Sequence, residues 1–346
     1  MDRVNDVLDE VYERLHATGP EFDGWLSNHG PMAADALLRL SPDTEVHAWI
    51  DHYCRRLEPK PAERWPIDGD QWRETLGDAS RLGDWLAYFA REMADNPWTE
   101  ILTTWWPRLL PGSIASATHG LIRTGHAVRS LRQHESPQRI AELGHALGYW
   151  AARWTTTPGA GPLSGTASPS QALHQAPALD TAGGPRTRLA ALTAHPLWPA
   201  AVTRVTPGVD NVPRLLDDLV DAAVDRYPTW ADASPIMLVH AATAPRAASL
   251  VLPSLPDDLH ERTWQHAWTA SVTIAAMYRP TTERPPVSDP SPNCDELIER
   301  AIAHGDDHVL KFAEVAAETA RRGIPTATTA IHRAITLIEP THWNRP

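Results

Sequence analysis

Residues 114–154, IASATHGLIRTGHAVRSLRQHESPQRIAELGHALGYWAARW, contain the two long helical patterns that decide the fold class. The first pattern runs from Ile114 to Arg132, and the second runs from Pro137 to Trp154. Glu135-Ser-Pro137 divides them, because proline cannot continue the hydrogen bonding of a helix interior. The stretch therefore predicts two long α-helices with a short break between them.

Amphipathic helical patterns continue on both sides of this stretch. Near the N-terminus, Val4, Val7, Leu8, Val11 and Leu15 recur at helical spacing until Gly19-Pro20 ends the pattern. Period-two alternation is weak throughout, so an all-α fold is expected, a large single-domain helical bundle with long Pro/Gly-rich loops. The other predicted helices cover residues 31–40, 43–57, 81–93, 215–226, 234–252, 257–277, 295–322 and 327–338.

Residues 155–188 interrupt the helical patterns. They are rich in Gly, Pro, Ser, Thr and Ala, and they show almost no periodicity. Such a segment is either an interdomain linker or a long surface excursion within one domain. We expect residues 1–346 to form one domain and residues 155–188 to be a loop-rich excursion within it. Residues 279–294 are a second, proline-rich turn region.

Composition excludes several function classes. The net charge is −12 and no basic cluster is present, which argues against nucleic acid as a partner. Two cysteines exclude a disulfide framework or a cysteine-based metal cluster. The apolar runs are short and no apolar signal segment follows Met1, so we expect a cytoplasmic protein without a membrane partner.

Motifs for tightly bound nucleotides are absent from the sequence. Gly159-Ala-Gly161-Pro-Leu-Ser-Gly165 has the wrong spacing for a dinucleotide loop, and no strand pattern precedes it. There is no P-loop, no H-E-x-x-H helix and no G-x-S-x-G elbow. We therefore expect no resident nicotinamide or flavin.

Five of the 17 histidines lie in apolar settings. A lone histidine in such a setting is more often a packed core residue than a ligand. Five are harder to dismiss, because a buried imidazole needs a partner for each nitrogen and a shared metal ion supplies one. Helical bundles hold redox metals with inward imidazoles. The five candidates are His29, His119, His126, His240 and His308.

The spacing of His119 and His126 is seven residues, which places both on one helix face with Arg123 between them. The remaining histidines of polar, loop or terminal segments are expected at the surface; they are His16, His134, His174, His195, His260, His332 and His342.

Lysine is scarce, and this scarcity draws attention to Lys311. Of 31 basic residues only Lys60 and Lys311 are lysines. Lys311 follows His308 by three residues on one predicted helix, whereas Lys60 lies in a Pro-flanked loop and is given no function. Lysine, unlike arginine, loses its proton when desolvated. A neutral Lys311 amine could act as a base, form a Schiff base, or take up carbon dioxide as a metal-binding carbamate; a chance surface lysine is the alternative.

Two other interpretations compete with an iron site. His304-Gly-Asp-Asp-His308 loosely resembles the His-Asp metal sites of all-α phosphohydrolases. Those sites need an adjacent His-Asp pair, whereas this chain has Asp51-His52 and Asp307-His308 in the reverse order. The second interpretation is a non-catalytic helical protein that binds a small aromatic molecule or a partner.

Four segments together resemble the questin oxidase-like family. They are residues 28–37 (NHGPMAADAL), 119–129 (HGLIRTGHAVR), 240–244 (HAATA) and 306–311 (DDHVLK). Family members include fungal enzymes that cleave the ring of anthraquinones and bacterial relatives in natural-product pathways. The resemblance implies an oxygenase that acts with dioxygen on an anthraquinone-like aromatic polyketide.

The resemblance also implies a cofactor and its ligands. These are a non-haem Fe(II) and the matching positions His29, His119, His126, His240, His308 and a carboxylated Lys311, with His119 and His126 as alternatives for one ligand position. NADPH would be an external reductant. Lys311 and Arg123 are the candidate catalytic residues, and Asp306 and Asp307 are candidates to orient the imidazoles. His145 falls where the family leads us to expect a small or apolar residue.

Overall fold

The computed structural model describes residues 2–208, 211–283, 293–341 and 343. In these residues the chain forms seventeen α-helices and one two-stranded antiparallel sheet, which confirms the all-α fold. Most of the proline-rich turn region, residues 284–292, lies outside the described residues, as does His342.

The chain divides into two compact units. The first contains residues 1–156, 250–259 and 343–346, and the second contains residues 157–249 and 260–342. The first boundary thus falls at the start of the predicted loop-rich segment. The expectation of a single domain stays a prediction.

The first unit contains eight α-helices and the sheet among its described residues. Its elements are α1 (Asp2–His16), β1 (Glu21–Phe22), β2 (Leu26–Ser27), α2 (Gly30–Leu40), α3 (Val46–Tyr53), α4 (Trp72–Thr75), α5 (Leu82–Asp95), α6 (Trp98–Leu109), α7 (His119–Gln133) and α8 (Pro137–Arg153). Short 3-10 turns cover Cys54–Arg56, Ala79–Arg81, Leu110–Gly112, Leu252–Ser254 and Asp257–Leu259.

Helix α8 is the centre of the first unit, since it packs against α1, α5, α6 and α7. The contacts of α8 with α5 and with α7 are close because glycine, which has no side chain, lies at each of them. A Cβ on Gly148 would lie 3.2 Å from the carbonyl oxygen of Trp85 on α5, and one on Gly120 of α7 would lie 2.5 Å from Cγ of Trp150. The indole of Trp150 itself donates to the Gly112 carbonyl at 2.9 Å. Close packing around α8 fixes the backbone that carries the polar residues described below.

The hairpin of β1 and β2 leads directly into α2. Asp23 and Gly24 form its turn with φ of 48° and 74°, a left-handed conformation that these residue types tolerate. Asn28 then fixes the start of α2: its Nδ2 donates to the Gly19 carbonyl at 3.0 Å and its Oδ1 accepts from the Gly30 N–H at 2.9 Å. These bonds hold the position of His29 between the hairpin and the helix.

The second unit contains nine α-helices among its described residues, with α12 and α14 at its centre. Helix α12 packs against α9, α14, α16 and α17, and α14 also packs against α10 and α11. The helices are α9 (Pro169–His174), α10 (Pro185–Ala194), α11 (Trp198–Val202), α12 (Val212–Trp230), α13 (Pro235–Val251, whose last two residues fall in the first unit), α14 (His260–Tyr278), α15 (Cys294–His304), α16 (Asp307–Arg321) and α17 (Ala327–Leu337).

Two predicted helices differ from the structure, one by an internal break and the other by its starting residue. The pattern at residues 295–322 is two helices, because Gly305 adopts a φ of 75° that ends α15 and Asp306 caps α16. Helix α7 begins at His119 and not at Ile114, because Ser116, Ala117 and Thr118 all have positive φ. Helices α4, α6, α10 and α11 were not anticipated, and the loop-rich segment 155–188 contains α9 and the start of α10.

A proline inside α13 shapes the backbone beside His240. Pro245 has no N–H, so the carbonyl of Ala241 loses its helical partner. The Ser271 hydroxyl of α14 donates to that carbonyl at 2.7 Å. A buried hydroxyl therefore replaces the hydrogen bond that the Ala241 carbonyl loses to Pro245.

Residues 235–254 are long and apolar enough to cross a membrane, with a mean hydropathy of 1.3. The sequence predicts a helix over residues 234–252, but an apolar stretch of this length was not expected. In the structure 72% of its most apolar window is buried inside protein. A single helix of this kind is weak evidence for a membrane span, because the core helix of a soluble protein has the same composition.

Candidate functional site

Two of the predicted metal ligands form a pair in the first unit. The rings of His29 and His119 are stacked, with centroids 4.3 Å apart and an interplanar angle of 24°. Both residues are buried, with 7% and 8% of their surface exposed. The backbone N–H of His29 donates to the Tyr53 hydroxyl at 2.5 Å. Residues 90 positions apart in sequence thus present two imidazoles side by side.

The ring of His119 is oriented by the turn that precedes it. Its Nδ1 hydrogen-bonds the Ser116 carbonyl oxygen. A carbonyl oxygen can only accept, so Nδ1 carries the proton and the neutral ring has its lone pair on Nε2. Metal-binding histidines generally donate their other ring N–H to such an acceptor. His119 therefore has the tautomer that an Nε2 ligand requires.

The turn before His119 is strained. Ser116, Ala117 and Thr118 have φ values of 46°, 54° and 71° in succession, and none of them is glycine. Each such residue costs on the order of 1 kcal/mol or more, so the surrounding contacts must hold the turn. Strained turns of this kind cluster at functional sites. Here the strain lies directly beside a candidate ligand.

Tyr149 of α8 contacts both segments that lead to the histidine pair. Its hydroxyl hydrogen-bonds the side chain of Ser27, two residues before His29, and that of Ser116, three residues before His119. Burial, reinforced by the carboxylate of Glu21, raises the pKa of Tyr149 to about 12. The phenol therefore keeps its proton at neutral pH and ties the hairpin end to the strained turn.

We expect Tyr149→Phe to weaken metal binding without unfolding the protein. Phenylalanine keeps the packing but loses both hydrogen bonds, and outer-shell changes typically cost about 10-fold to 100-fold in metal affinity. The measurement is the Kd for Fe(II) or Co(II) by anaerobic titration. Tyr88→Phe on α5 is the matched control and should leave the Kd unchanged. A Tyr149→Phe protein with wild-type affinity would contradict the bridging role.

His126 lies in a buried ion pair on the same face of α7. Its Nδ1 is 2.8 Å from Oδ2 of Asp35, and that carboxylate also accepts from Arg129 Nε at 3.0 Å. Burial raises the pKa of Asp35, but the Arg129 guanidinium and the His126 hydrogen bond outweigh it and hold this pKa well below its usual range. The structure thus gives His126 a carboxylate partner and His119 an imidazole partner.

We expect the Asp35 network to make the protein sensitive to acid. Because the folded-state pKa of Asp35 is lowered, its stabilising contribution is complete above about pH 4 and is lost as the pH falls through the folded value. Asp35→Ala should lower the free energy of unfolding by about 3–5 kcal/mol at pH 7, because it leaves Arg129 buried without its carboxylate. Urea unfolding at pH 7 and pH 3 measures both effects. An unfolding free energy of the variant within 1 kcal/mol of wild type at pH 7 would contradict this account.

Arg123, a predicted catalytic residue, forms a bidentate ion pair with Glu142 of α8. The distances are 2.6 Å from Nε to Oε1 and 2.8 Å from Nη2 to Oε2. Both side chains are buried, and His16 Nε2 lies 2.8 Å from the same Oε2. The catalytic role of Arg123 stays a prediction; the structure shows an arginine whose one edge is held by a carboxylate.

Two further predicted ligands form an imidazole pair in the second unit. The rings of His240 on α13 and His308 on α16 meet edge to face, with centroids 5.6 Å apart. His240 is completely buried, and its Nδ1 lies 3.1 Å from the Ile236 carbonyl and 3.2 Å from that of Met237. His240 therefore has the same tautomer as His119, with the lone pair on Nε2.

Asp306 and Asp307, the predicted orienting residues, both lie beside His308. Nδ1 of His308 is 3.0 Å from Oδ1 of Asp307 and 3.4 Å from Oδ1 of Asp306. Asp306 also caps α16, since its carboxylate accepts from the backbone N–H of His308 at 2.9 Å. Both carboxylates therefore lie within ion-pair distance of the His308 ring.

Lys311 lies one turn after His308 on α16 and is buried, with 2% of its surface exposed. This burial excludes the chance surface lysine of the sequence analysis. Lysine is almost never fully buried without a compensating interaction, so its position is unusual. Desolvation favours the neutral amine, which is the form that reacts with carbon dioxide.

Sequence reasoning missed a second polar cluster in the first unit. His16 was expected at the surface, but only 13% of its side chain is exposed, and its ring lies 4.5 Å from that of His145. Lys60 is exposed as expected, yet its Nζ lies 3.0 Å from Nε2 of His145. The scarcity of lysine is the one feature of the sequence that could have drawn attention to Lys60 and so to this cluster.

Six tryptophans large enough to line a slot for a polycyclic substrate pack within their own units. Trp105 packs against Trp85 and Phe89, and Trp106 meets Trp150 edge to face. Five of the six are fully buried; Trp154 is half-buried. In the second unit, the indoles of Trp264 and Trp268 donate to backbone carbonyls at 3.0 and 2.8 Å. These contacts are those of core packing; the six residues are Trp105, Trp106, Trp150, Trp154, Trp264 and Trp268.

The structure defines a helical protein with paired imidazoles in each of its two units, and a family match adds to this description. Residues 28–156 match the family model described as questin oxidase-like, which confirms the resemblance found in the sequence. The match contains His29, His119 and His126, whereas His240, His308 and Lys311 lie beyond it. No curated protein matches the chain. The family's description indicates an oxidoreductase with an oxygenase-type role.

Proposed function

We propose that the protein is an iron-dependent oxygenase that acts on an anthraquinone-like aromatic polyketide in natural-product biosynthesis. The observation that supports it most is the shared orientation of two imidazoles. His119 and His240 each donate Nδ1–H to a backbone carbonyl, which leaves Nε2 for a metal, and Nδ1 of His308 lies 3.0 Å from Oδ1 of Asp307. The proposed ligands are His29, His119, His240, His308 and a carboxylated Lys311, and His126 remains the alternative to His119.

The donor set fits iron better than it fits the competing ions. Imidazole nitrogen suits Fe(II), whereas the hard divalent ions of phosphohydrolases prefer carboxylate and water oxygens. Asp306 and Asp307 could supply such oxygens, but each already contacts Nδ1 of His308. We therefore assign these two carboxylates the task of orienting a ligand.

The protein's own residues would position and shield the reaction. Bound iron supplies the means to bring dioxygen and an electron-rich phenolate together. The Ser116 and Ile236 carbonyls orient the rings of His119 and His240, and Asp307 lies beside the ring of His308. Burial of His240 and Lys311 keeps water from these positions, and a carbamate on Lys311 would hold negative charge among neutral imidazoles.

The experiment is dioxygen consumption by the iron-loaded protein with a panel of hydroxylated anthraquinones. We expect consumption that depends on both iron and substrate, with an oxygenated or ring-opened product by mass spectrometry. Iron-loaded protein that consumes no dioxygen with any member of the panel would favour the non-catalytic alternative, a helical protein that binds a small aromatic molecule or a partner.

We expect no tight binding of NADPH to the purified protein. The sequence contains no dinucleotide-binding fingerprint, so any requirement for NADPH should reflect an external reductant. Fluorescence titration of NADPH measures this directly. Saturable binding with a Kd on the order of 1 μM would contradict the prediction.

A further inference from the structure

A second polar cluster in the first unit contains none of the proposed iron ligands. It consists of His16 at the end of α1, Lys60 in the loop between α3 and α4, Arg123 on α7, and Glu142 and His145 on α8. We call it the Lys60 cluster. Lys60 is exposed, whereas Arg123, Glu142 and His145 are at most 6% exposed, so the cluster extends from solvent into the core.

The Lys60 cluster contains more hydrogen-bond donors than acceptors. Glu142 accepts three bonds, two from Arg123 and one from His16. Its capacity as an acceptor is therefore largely used. His145 Nε2 accepts from Lys60 Nζ at 3.0 Å, which leaves two further N–H groups on that ammonium.

Arg123 adds a buried donor without a partner. Its Nη1 is buried and has no hydrogen-bond partner among the described residues, while Nε and Nη2 hold Glu142. An unpaired buried donor is costly, so it points to a group that accepts hydrogen bonds.

The Lys60 cluster also carries a net positive charge. Arg123 and Lys60 carry two positive charges, and Glu142 carries the one negative charge of the five residues. Burial lowers the pKa of His145 well below its usual value, and the charges of His16, Arg123 and Lys60 lower it further. His145 is therefore neutral at physiological pH, and the cluster carries an excess positive charge.

A metal ion is the competing occupant. One ligand atom each of His16, Glu142 and His145 lies within 4.8 Å of the others, which is a suitable spacing for a His₂Glu zinc site. However, Glu142 is already neutralised by Arg123, and the Lys60 ammonium lies on the lone pair of His145. A divalent cation would face both positive side chains, so the charges favour an anion.

We propose that the Lys60 cluster binds a small oxyanion, the phosphate or carboxylate group of a ligand. Lys60 Nζ would donate from the solvent side and Arg123 Nη1 from the core side, and the anion would supply the acceptors and the negative charge that the cluster lacks. No residue of the Lys60 cluster is a proposed iron ligand, so binding of an anion to the cluster can be tested without iron; Arg123 is the one member that is also a candidate catalytic residue.

The chain's composition provides a selective probe of Lys60. Apart from the N-terminal amine, an amine-acetylating reagent has only Lys60 and the buried Lys311 to modify. Partial burial lowers the pKa of Lys60, which raises the reactive neutral fraction. The rate of Lys60 acetylation in the full-length protein, followed by peptide mass spectrometry, therefore reports occupancy of the cluster.

Inorganic phosphate and benzoate are the two probes, each compared with sodium chloride at equal ionic strength. At an anion concentration of ten times its Kd, acetylation of Lys60 should slow by about 10-fold. Protection by phosphate alone assigns a phosphate ligand, and protection by benzoate assigns a carboxylate. No protection by either anion would overturn the proposal, and protection by Zn²⁺ in their place would overturn it in favour of a metal site.

A matched pair of variants tests the same inference by calorimetry. Lys60→Gln removes the exposed donor and should weaken binding of the protecting anion by at least about 10-fold. Arg55→Gln removes an exposed positive charge from the segment that leads to Lys60 and should leave binding unchanged. Equal anion affinity in Lys60→Gln and wild type would overturn the proposal.

Discussion

Lys311→Arg is expected to abolish iron binding and turnover as completely as Lys311→Ala. Arginine keeps the positive charge and nearly the length, but its guanidinium does not lose its proton and cannot take up carbon dioxide. If Lys311 is a carbamate, the variant replaces a negative ligand by a positive charge beside His308. We expect iron content to fall from about one ion per chain to none detectable.

Two further variants separate the carbamate from a simple structural role of Lys311. Lys311→Glu restores a carboxylate on a shorter arm and should recover part of the iron binding. Arg321→Lys at the exposed end of α16 is the charge-conserving control and should keep full iron content. Isotope-labelled bicarbonate should give a carbamate signal in wild type that Lys311→Ala lacks. A Lys311→Arg protein that binds iron and turns over would exclude the carbamate.

His308→Ala is expected to abolish iron binding while the protein stays folded. The ring lies at the start of α16, where Asp306 holds the helix by its own cap and not through the imidazole. The fold should therefore survive, with thermal unfolding within a few degrees of wild type. His240→Ala and His29→Ala should have the same effect on iron, although loss of the fully buried His240 ring also creates a cavity.

A surface histidine provides the control for this series. His134→Ala removes an exposed imidazole that follows α7 and should leave iron content unchanged. Full iron occupancy and turnover in His308→Ala would show that the proposed ligand set is wrong. Loss of iron in His134→Ala would show that iron content reports a general effect of removing histidines.

The helices could be predicted from the sequence because their determinants are local. Apolar spacing and prolines indicate α1, α2, α8 and α13 within a few residues. The break between α15 and α16 was missed because a single Gly305 in the left-handed conformation decides it. The late start of α7 was missed because Ser116, Ala117 and Thr118 are not residue types that favour positive φ, and tertiary contacts hold them there.

The candidate site could be predicted in part. Apolar settings single out His29, His119, His240 and His308, since burial follows from the helix pattern. Their pairing could not be derived from spacing, because the partners lie far apart in the chain. The same limit applies to Lys60, whose loop appears solvent-exposed in sequence although its amine meets a buried imidazole of α8.

Metal analysis of the purified protein is the most direct test of the central claim. The chain should be purified anaerobically, reconstituted with ferrous iron, freed of excess metal and measured beside His308→Ala. The account predicts about one iron per wild-type chain and none in the variant. No iron in the wild-type protein after reconstitution would contradict it, and would leave a helical binding protein without redox chemistry.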